Sequence, residues 1–348
     1  MNKLIENFIF GAAAALVFAS LPIIAMAQGR VEPPAKPSPT APEAPLSRKS
    51  FPLPKPAPEP RGSYEKSIKV DGSVNVRLGC VLEGTVKANG WNRNEVRVFV
   101  KDGNKFAFNT KQKSSKTNEP VWIELVGSES QSKYGPSSDC ISAAEIEIDA
   151  PVNSTITISG REITTLIDTV RRVDVKSIGG DISLRNISNG VTVNSGRGDI
   201  TVEGSQGAMS LSTTTGNILV FDAGPSEIGD VFKANTNSGA IALQALQYRQ
   251  TNVDSVTGSV AYTGEILSSG SYRMRTSKGS IRLTIPAKSS FQMLATYGFG
   301  SFTTEVPVDL ATENVSPGPI KTISGKTGKG DATLNLTTNN GSISIKKM

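Results

Sequence analysis

From Lys176 onward the chain repeats itself. Gly180-Asp-Ile-Ser-Leu184 returns as Gly198-Asp-Ile-Thr-Val202, Gly216-Asn-Ile-Leu-Val220, Gly239-Ala-Ile-Ala-Leu243, Gly258-Ser-Val-Ala-Tyr262 and Gly279-Ser-Ile-Arg-Leu283, and again near the end as Gly341-Ser-Ile-Ser-Ile345. From Gly180 to Gly279 the motif glycines are 18, 18, 23, 19 and 21 residues apart. A second series falls between them, clearest at Gly190-Val-Thr-Val193 and Gly207-Ala-Met-Ser-Leu211 and weaker at Ser271-Tyr-Arg-Met274. Each period of about twenty residues thus holds two short strands with turns between them.

Apolar residues two apart in a strand share a face. A glycine ahead of the strand permits a turn with positive φ. One such unit cannot bury its apolar face alone. Stacked units bury a continuous core and pair each strand with its counterpart in the next unit. The expected fold is all-β: a single-chain β-solenoid, β-helix-like, with about twenty residues and two short strands per rung. Ile182, Ile200, Ile218, Ile241, Val260 and Ile281 form its expected interior ladder. A β-sandwich with evenly spaced strands is the alternative, although sandwich strands need not resemble one another.

The solenoid domain is expected over residues 64–348, with an irregular part at 64–150 and a regular repeat part at 151–348. Thr303 to Gly330, with Pro307, Pro317 and Pro319, is expected as a loop that interrupts the far end. The two cysteines, Cys80 and Cys140, both lie in the irregular part. In an exported chain such a pair reads as a disulfide. Closing a loop of that size contributes about 4 kcal/mol in the chain-entropy model. Two buried free thiols are the alternative.

Residues 1–27 read as a cleaved signal peptide: Lys3, an apolar run from Phe8 to Ile24, then Ala25-Met26-Ala27. A retained membrane anchor is the alternative, since the run is near the lower length limit for spanning. No cysteine stands at the cleavage point, which disfavours a lipid-modified amino terminus. Residues 28–63 are dense in proline and are expected to be a disordered linker. No later stretch is apolar enough to span a membrane. The protein is therefore expected to be exported: periplasmic, at the cell surface or secreted.

There is no histidine, which removes Ser-His-Asp and Cys-His catalysis and His-ligated metal sites. The 37 basic and 31 acidic residues leave a net charge of +6, spread thinly and without a basic run interleaved with aromatics. Nucleic acid is not an expected partner. Weak attraction to anionic polymers or membrane surfaces remains open.

Several short motifs invite a function. Arg197-Gly198-Asp199 is the tripeptide that many integrins bind, yet Gly198 and Asp199 occupy the repeat positions of Gly180 and Asp181, so turn geometry accounts for them. Asp181 and Asp199, one rung apart, suggest calcium. The following rungs place Asn217, Ala240, Ser259 and Ser280 there, and a short polar residue accepting turn hydrogen bonds explains all but Ala240. Gly325-Lys326-Thr327 looks like the end of a phosphate loop, but Gly318 leaves six residues between instead of the motif's four, and a strand-like segment follows. Asp168, Arg171, Arg172 and Asp174 form the densest charged group, for which a solvated face is expected. No cofactor, metal or catalytic residue is expected.

The runs GTVKANGWNRNEVRV and IEIDAPVNSTITI, followed by reiterated G-D-I-x-L and G-x-V-x-V units, resemble the bacterial "putative adhesin" family of uncharacterised repeat domains, and also the head domain of autotransporter adhesins. The resemblance spans roughly residues 66 to 345. It implies a β-solenoid in an exported bacterial protein and supplies no catalytic residues. The expected function is that of a non-enzymatic envelope or surface protein, a scaffold or adhesin whose partners are envelope polysaccharide or surface proteins. A polysaccharide lyase or hydrolase on a β-helix is the alternative. It needs a groove with clustered carboxylates and aromatic platforms. Self-association through the solenoid ends is a third expectation.

Overall fold

A computed structural model describes residues 62–112, 120–127, 140–314 and 320–348. The expected signal peptide and all but the last two residues of the expected linker lie outside the described residues. Alternating apolar and polar residues, broken by glycine turns, make strands throughout, and no helix occurs among the described residues. The less regular part holds β1 (Gly62–Lys69), β2 (Asn75–Trp91), β3 (Glu95–Gly103), β4 (Phe106–Gln112), β5 (Pro120–Gly127), β6 (Glu145–Pro151) and β7 (Thr155–Asp168). The repeats follow as strand pairs: β8 (Arg172–Gly179) with β9 (Ile182–Arg185), β10 (Val191–Arg197) with β11 (Ile200–Glu203), and β12 (Met209–Thr215) with β13 (Ile218–Ala223). Next come β14 (Phe232–Ser238) with β15 (Ile241–Leu246), β16 (Gln250–Thr257) with β17 (Val260–Thr263), and β18 (Ser271–Lys278) with β19 (Ile281–Ile285). The last elements are β20 (Phe291–Phe299), β21 (Phe302–Thr304), β22 (Asp309–Asn314), β23 (Lys321–Thr327), β24 (Ala332–Asn340) and β25 (Ile343–Lys347).

Each repeat contributes one strand to each of two parallel ladders. The first runs β7–β8–β10–β12–β14–β16–β18, and the second β7–β9–β11–β13–β15–β17–β19. The register is strict: Ile200 pairs with Ile182 on one side and Ile218 on the other. All six positions of the expected ladder are buried, and they join one core with the inward residues of the other ladder, such as Val193, Leu211 and Val253. The fold is thus a β-solenoid-like stack. Parallel pairing of like with like rules out the sandwich alternative.

Sequence order and stacking order part at both ends. Strand β24 lies between β18 and β20, and β25 lies between β19 and β21. The chain therefore lays down an outer rung first and then returns to fill the rung beneath it. At the other end β2 lies between β7 on one side and both β5 and β6 on the other. Antiparallel strands flank the outermost rungs: β4 on β5, β3 on β6, β1 on β3, and β23 with β22 on β20. The segment Thr303 to Gly330 is thus not a plain loop, because β22 and β23 form a hairpin within it. Pro317 and Pro319 lie outside the described residues.

Cys80 and Cys140 are joined in a disulfide. It bonds the bend of β2 to the entry of β6, where Ile141 N donates to Cys80 O and Leu82 N donates to Ile141 O. The crosslink fastens an interposed rung to its outer neighbour. Titration of unfolded, unreduced protein is expected to find no free thiol; two per chain would contradict the pairing.

A buried hydroxyl three residues ahead of the motif glycine adds a polar line to the core. Thr236 Oγ1 donates to Gly216 O (3.0 Å), Ser255 Oγ to Gly239 O (3.1 Å), Thr276 Oγ1 to Gly258 O (2.7 Å) and Thr338 Oγ1 to Gly279 O (2.8 Å). Each bond ties one rung to the turn of its neighbour and gives the buried hydroxyl a partner.

Candidate functional site

The turn between the two strands of a rung is the most repeated feature of the surface. Asp181 Oδ1 accepts from Asp199 N (2.9 Å), Asp199 Oδ1 from Asn217 N (2.7 Å), and Asn217 Oδ1 from Ala240 N (2.9 Å). The row is interrupted after Ala240 and resumes with Ser342 N donating to Ser280 Oγ (3.3 Å) and Ser301 N to Ser342 Oγ (3.2 Å). Gly198 and Asp199 are therefore turn residues in this column. Arg197 reaches Glu162 Oε1 through Nη2 at 2.7 Å, with both side chains mostly exposed. Such a pair contributes little. Arg197→Ala is expected to shift stability by no more than about 0.5 kcal/mol. Asp199→Asn should be equally mild, because an amide oxygen accepts the same bond. A melt of each variant checks both, and a large loss in either would break the column argument.

The same bonds account for the Asp181–Asp199 pair, since each carboxylate receives the next rung's N–H. Among the described residues no three His, Cys, Asp or Glu side chains gather as a metal site. Gly325-Lys326-Thr327 lies in β23, paired antiparallel with β20 and β22.

The four charged residues near Asp168 do not converge. Asp168 ends β7 and accepts from Arg185 Nη2 (2.7 Å), Asn186 Nδ2 (2.9 Å) and Thr169 Oγ1 (2.7 Å). Arg172 turns instead to Asn189, with Nε on its carbonyl at 3.1 Å. Asp174 lies in β8, and Arg171 borders a separate small hollow beside Asn153. Burial pushes the Asp168 carboxyl up, but the bonds from Thr169, Asn186 and Arg185, with the Arg185 charge, outweigh it and hold it below its ordinary value. A carboxyl depressed in the folded state stabilises fully above its unfolded pKa, and the gain is lost as pH falls through the folded value. Stability should therefore fall on acidification through and below the ordinary aspartate value of 3.8. Asp168→Asn should flatten that acid limb in urea unfolding followed across pH. An unchanged limb would remove Asp168 from the account.

Two larger hollows mark the lateral surface. One, of about 520 Å³, crosses β14, β16, β18 and β24 and contains the Asp254–Arg275 ion pair beside Asn235, Asn237 and Asn339. The other, of about 660 Å³, lies under the loop between β13 and β14. This is the corner where the motif interval lengthens to 23 residues. The spacing signalled an insertion there, although the composition alone did not suggest a cleft. Asp230 Oδ2 accepts from Ser226 N (2.9 Å), Ser226 Oγ (3.1 Å) and Glu227 N (2.9 Å), which locks the loop. Burial raises the Asp230 pKa, but the backbone bonds from Glu227 and Ser226 prevail and hold it low. Neither hollow has an aromatic residue in its lining.

A family model described as Toastrack DUF4097 matches residues 67–346. Two crystal structures are similar in part. One is a "putative cell adhesion protein" from Clostridium sporogenes, at 12% identity over 82% of this chain and 100% of that one, with a TM-score of 0.24. The other is a "putative adhesin" from Parabacteroides merdae, at 10% identity over 82% of this chain and 96% of that one, with a TM-score of 0.32. No curated protein matches the chain.

Proposed function

This chain belongs to the Toastrack DUF4097 family, and on that premise we propose that it is an exported, non-enzymatic envelope or surface protein that binds or scaffolds envelope material through its lateral faces. The leader expected at residues 1–27 would deliver it, and the linker at 28–63 would hold the stack away from its attachment.

The observation that carries the non-enzymatic part is the state of the carboxylates. A glycosidase acid needs a raised pKa, held protonated until it donates. Here Glu145, Asp168 and Asp230 are all displaced downward. For Glu145 the hydrogen bond from Lys87 is the largest cause, against an opposing burial effect. Cross-rung ion pairs such as Arg97–Asp149 and Arg275–Asp254 commit further acids to the scaffold. Glu145 and Asp168 are engaged between neighbouring strands and Asp230 within its own loop, which supports a scaffolding role for these groups.

The test has two arms. Labelled protein should co-sediment with isolated bacterial envelopes. Incubation with a panel of polysaccharides should release no reducing ends or unsaturated products above a heat-inactivated control. Product release would overturn the non-enzymatic reading, and failure to co-sediment would overturn the envelope reading.

A further inference from the structure

We infer that the cleft under the Pro225–Asp230 loop is a binding site for a neutral saccharide, one or two hexose rings long; this rests on the envelope-binding reading above. The loop is extra to the fold. Neighbouring rungs close the same corner in fewer residues, so the insertion buries nothing the stack requires. It is nevertheless held in one shape by the three bonds to Asp230 Oδ2 and by Gly229, whose φ of +98° suits glycine. At its tip Ile228 is fully exposed. A loop held in one shape at the surface of a rigid stack suits a binding role, and Ile228 gives that loop an apolar contact.

The remaining walls come from the next two rungs. Gln247, Arg249 and Gln250 form one wall and Ser271 the other. Among the described residues the side chains of Glu227, Gln247, Gln250 and Ser271 make no hydrogen bond or ion pair. Arg249 gives Nε to Ser268 O at 3.3 Å, which orients the guanidinium and leaves its Nη groups uncommitted. Several arginines of the stack are paired with carboxylates, as at Arg97, Arg185, Arg197 and Arg275, whereas among the described residues Arg249 is not. The cleft thus gathers donors and acceptors that the fold does not use.

Their chemistry selects a sugar. Paired amides, a carboxylate and a guanidinium fork match vicinal hydroxyls, which both donate and accept. Ile228 offers an apolar surface for the C–H face of a pyranose ring. The lining carries two carboxylates, Glu227 and Asp230, against the one guanidinium of Arg249, which disfavours an anionic ligand. The strands bordering the cleft, β14, β16 and β18, are paired on both sides, so no edge is free to extend a peptide strand. The volume falls in the range of ligand sites, and two rung spacings span about 10 Å.

Titration of the full chain with neutral di- to tetrasaccharides of glucose, galactose, mannose and N-acetylglucosamine, followed by calorimetry and by protein NMR, tests the site. At least one series should bind. Arg249→Ala and Glu227→Gln should each weaken it by about tenfold or more, and Ile228→Ser by less. Asn237→Ala, in the other hollow, should leave binding unchanged, and all four variants should melt with the parent. Binding that survives Arg249→Ala within about twofold, or the absence of binding by any sugar in the panel, would overturn the assignment. Protein that still co-sediments with envelopes in that case retains the broader reading. Loss of both fails the broader reading as well.

Discussion

Deletion of residues 331–348 should unfold far more of the chain than it removes. The deleted strands β24 and β25 are an internal rung, with β18 and β19 on one side and β20 and β21 on the other. Without them β21 has no partner strand, and β20 retains only the antiparallel hairpin of β23 and β22. Leu334, Leu336, Ile343 and Ile345 are buried, and each contributes about 1.5–3 kcal/mol of burial. Their sum is of the order of the whole stability of a domain. The truncated chain should be cut by protease in β20, β21 and β23, where the parent resists, and β18 should become an exposed edge that promotes aggregation. If β20 to β23 stayed protected after truncation, the interposed arrangement would be wrong.

Gly198→Ala should be far more damaging than a change at either of its neighbours, Arg197 and Asp199. The residue stands at φ +117°, a conformation that L side chains rarely adopt. Holding one there costs about 1–3 kcal/mol. A Cβ would also lie well inside van der Waals contact distance of Gly180 O, a backbone atom that cannot rotate away. The neighbouring rungs would have to separate, which lengthens Gly198 N to Thr215 O and the ladder bonds beside it. The expected loss exceeds about 4 kcal/mol, beyond the ordinary range for point changes. Denaturant unfolding of Gly198→Ala beside Arg197→Ala checks the contrast between adjacent positions. A mild effect would mean that the rungs do not approach at their turns.

The regular repeats were legible because one physical requirement governs them. The glycine, the apolar alternation and the short polar residue each follow from stacking identical turns, so Ile182 to Ile281 could be placed inward without coordinates. The hydroxyl line from Ser177 to Thr338 was equally present in the sequence, three residues ahead of each motif glycine, but a buried Ser or Thr looks like an exposed one until its carbonyl partner is known. The interposed rungs were not legible. Gly341-Ser-Ile-Ser-Ile345 matches the motif at any level of the stack, yet it lies beside Gly279 and not beyond β21. The segment Thr303 to Gly330 misled through its prolines, which sit beside β22 and β23 or outside the described residues. The repeat alone places Gly198 and Asp199 of the tripeptide in a turn, as the bonds from Asp199 N and Asn217 N bear out. The cleft left only a lengthened interval as its trace, because the groups that build it come from three rungs.

The interposed rungs also decide how the stack bears a mechanical load. An edge strand pulled from its tip peels, and its hydrogen bonds fail one after another. A pull on Lys347 enters instead through β25 and then β24, each gripped by parallel neighbours on both sides. The bonds along both flanks share the force in shear and must yield together. At the opposite end β1 is a peelable edge, but β2 behind it is clamped between two rungs and locked by the Cys80–Cys140 bond. Tension along the backbone therefore meets resistance at its points of entry, and the regular middle of the stack is shielded from it.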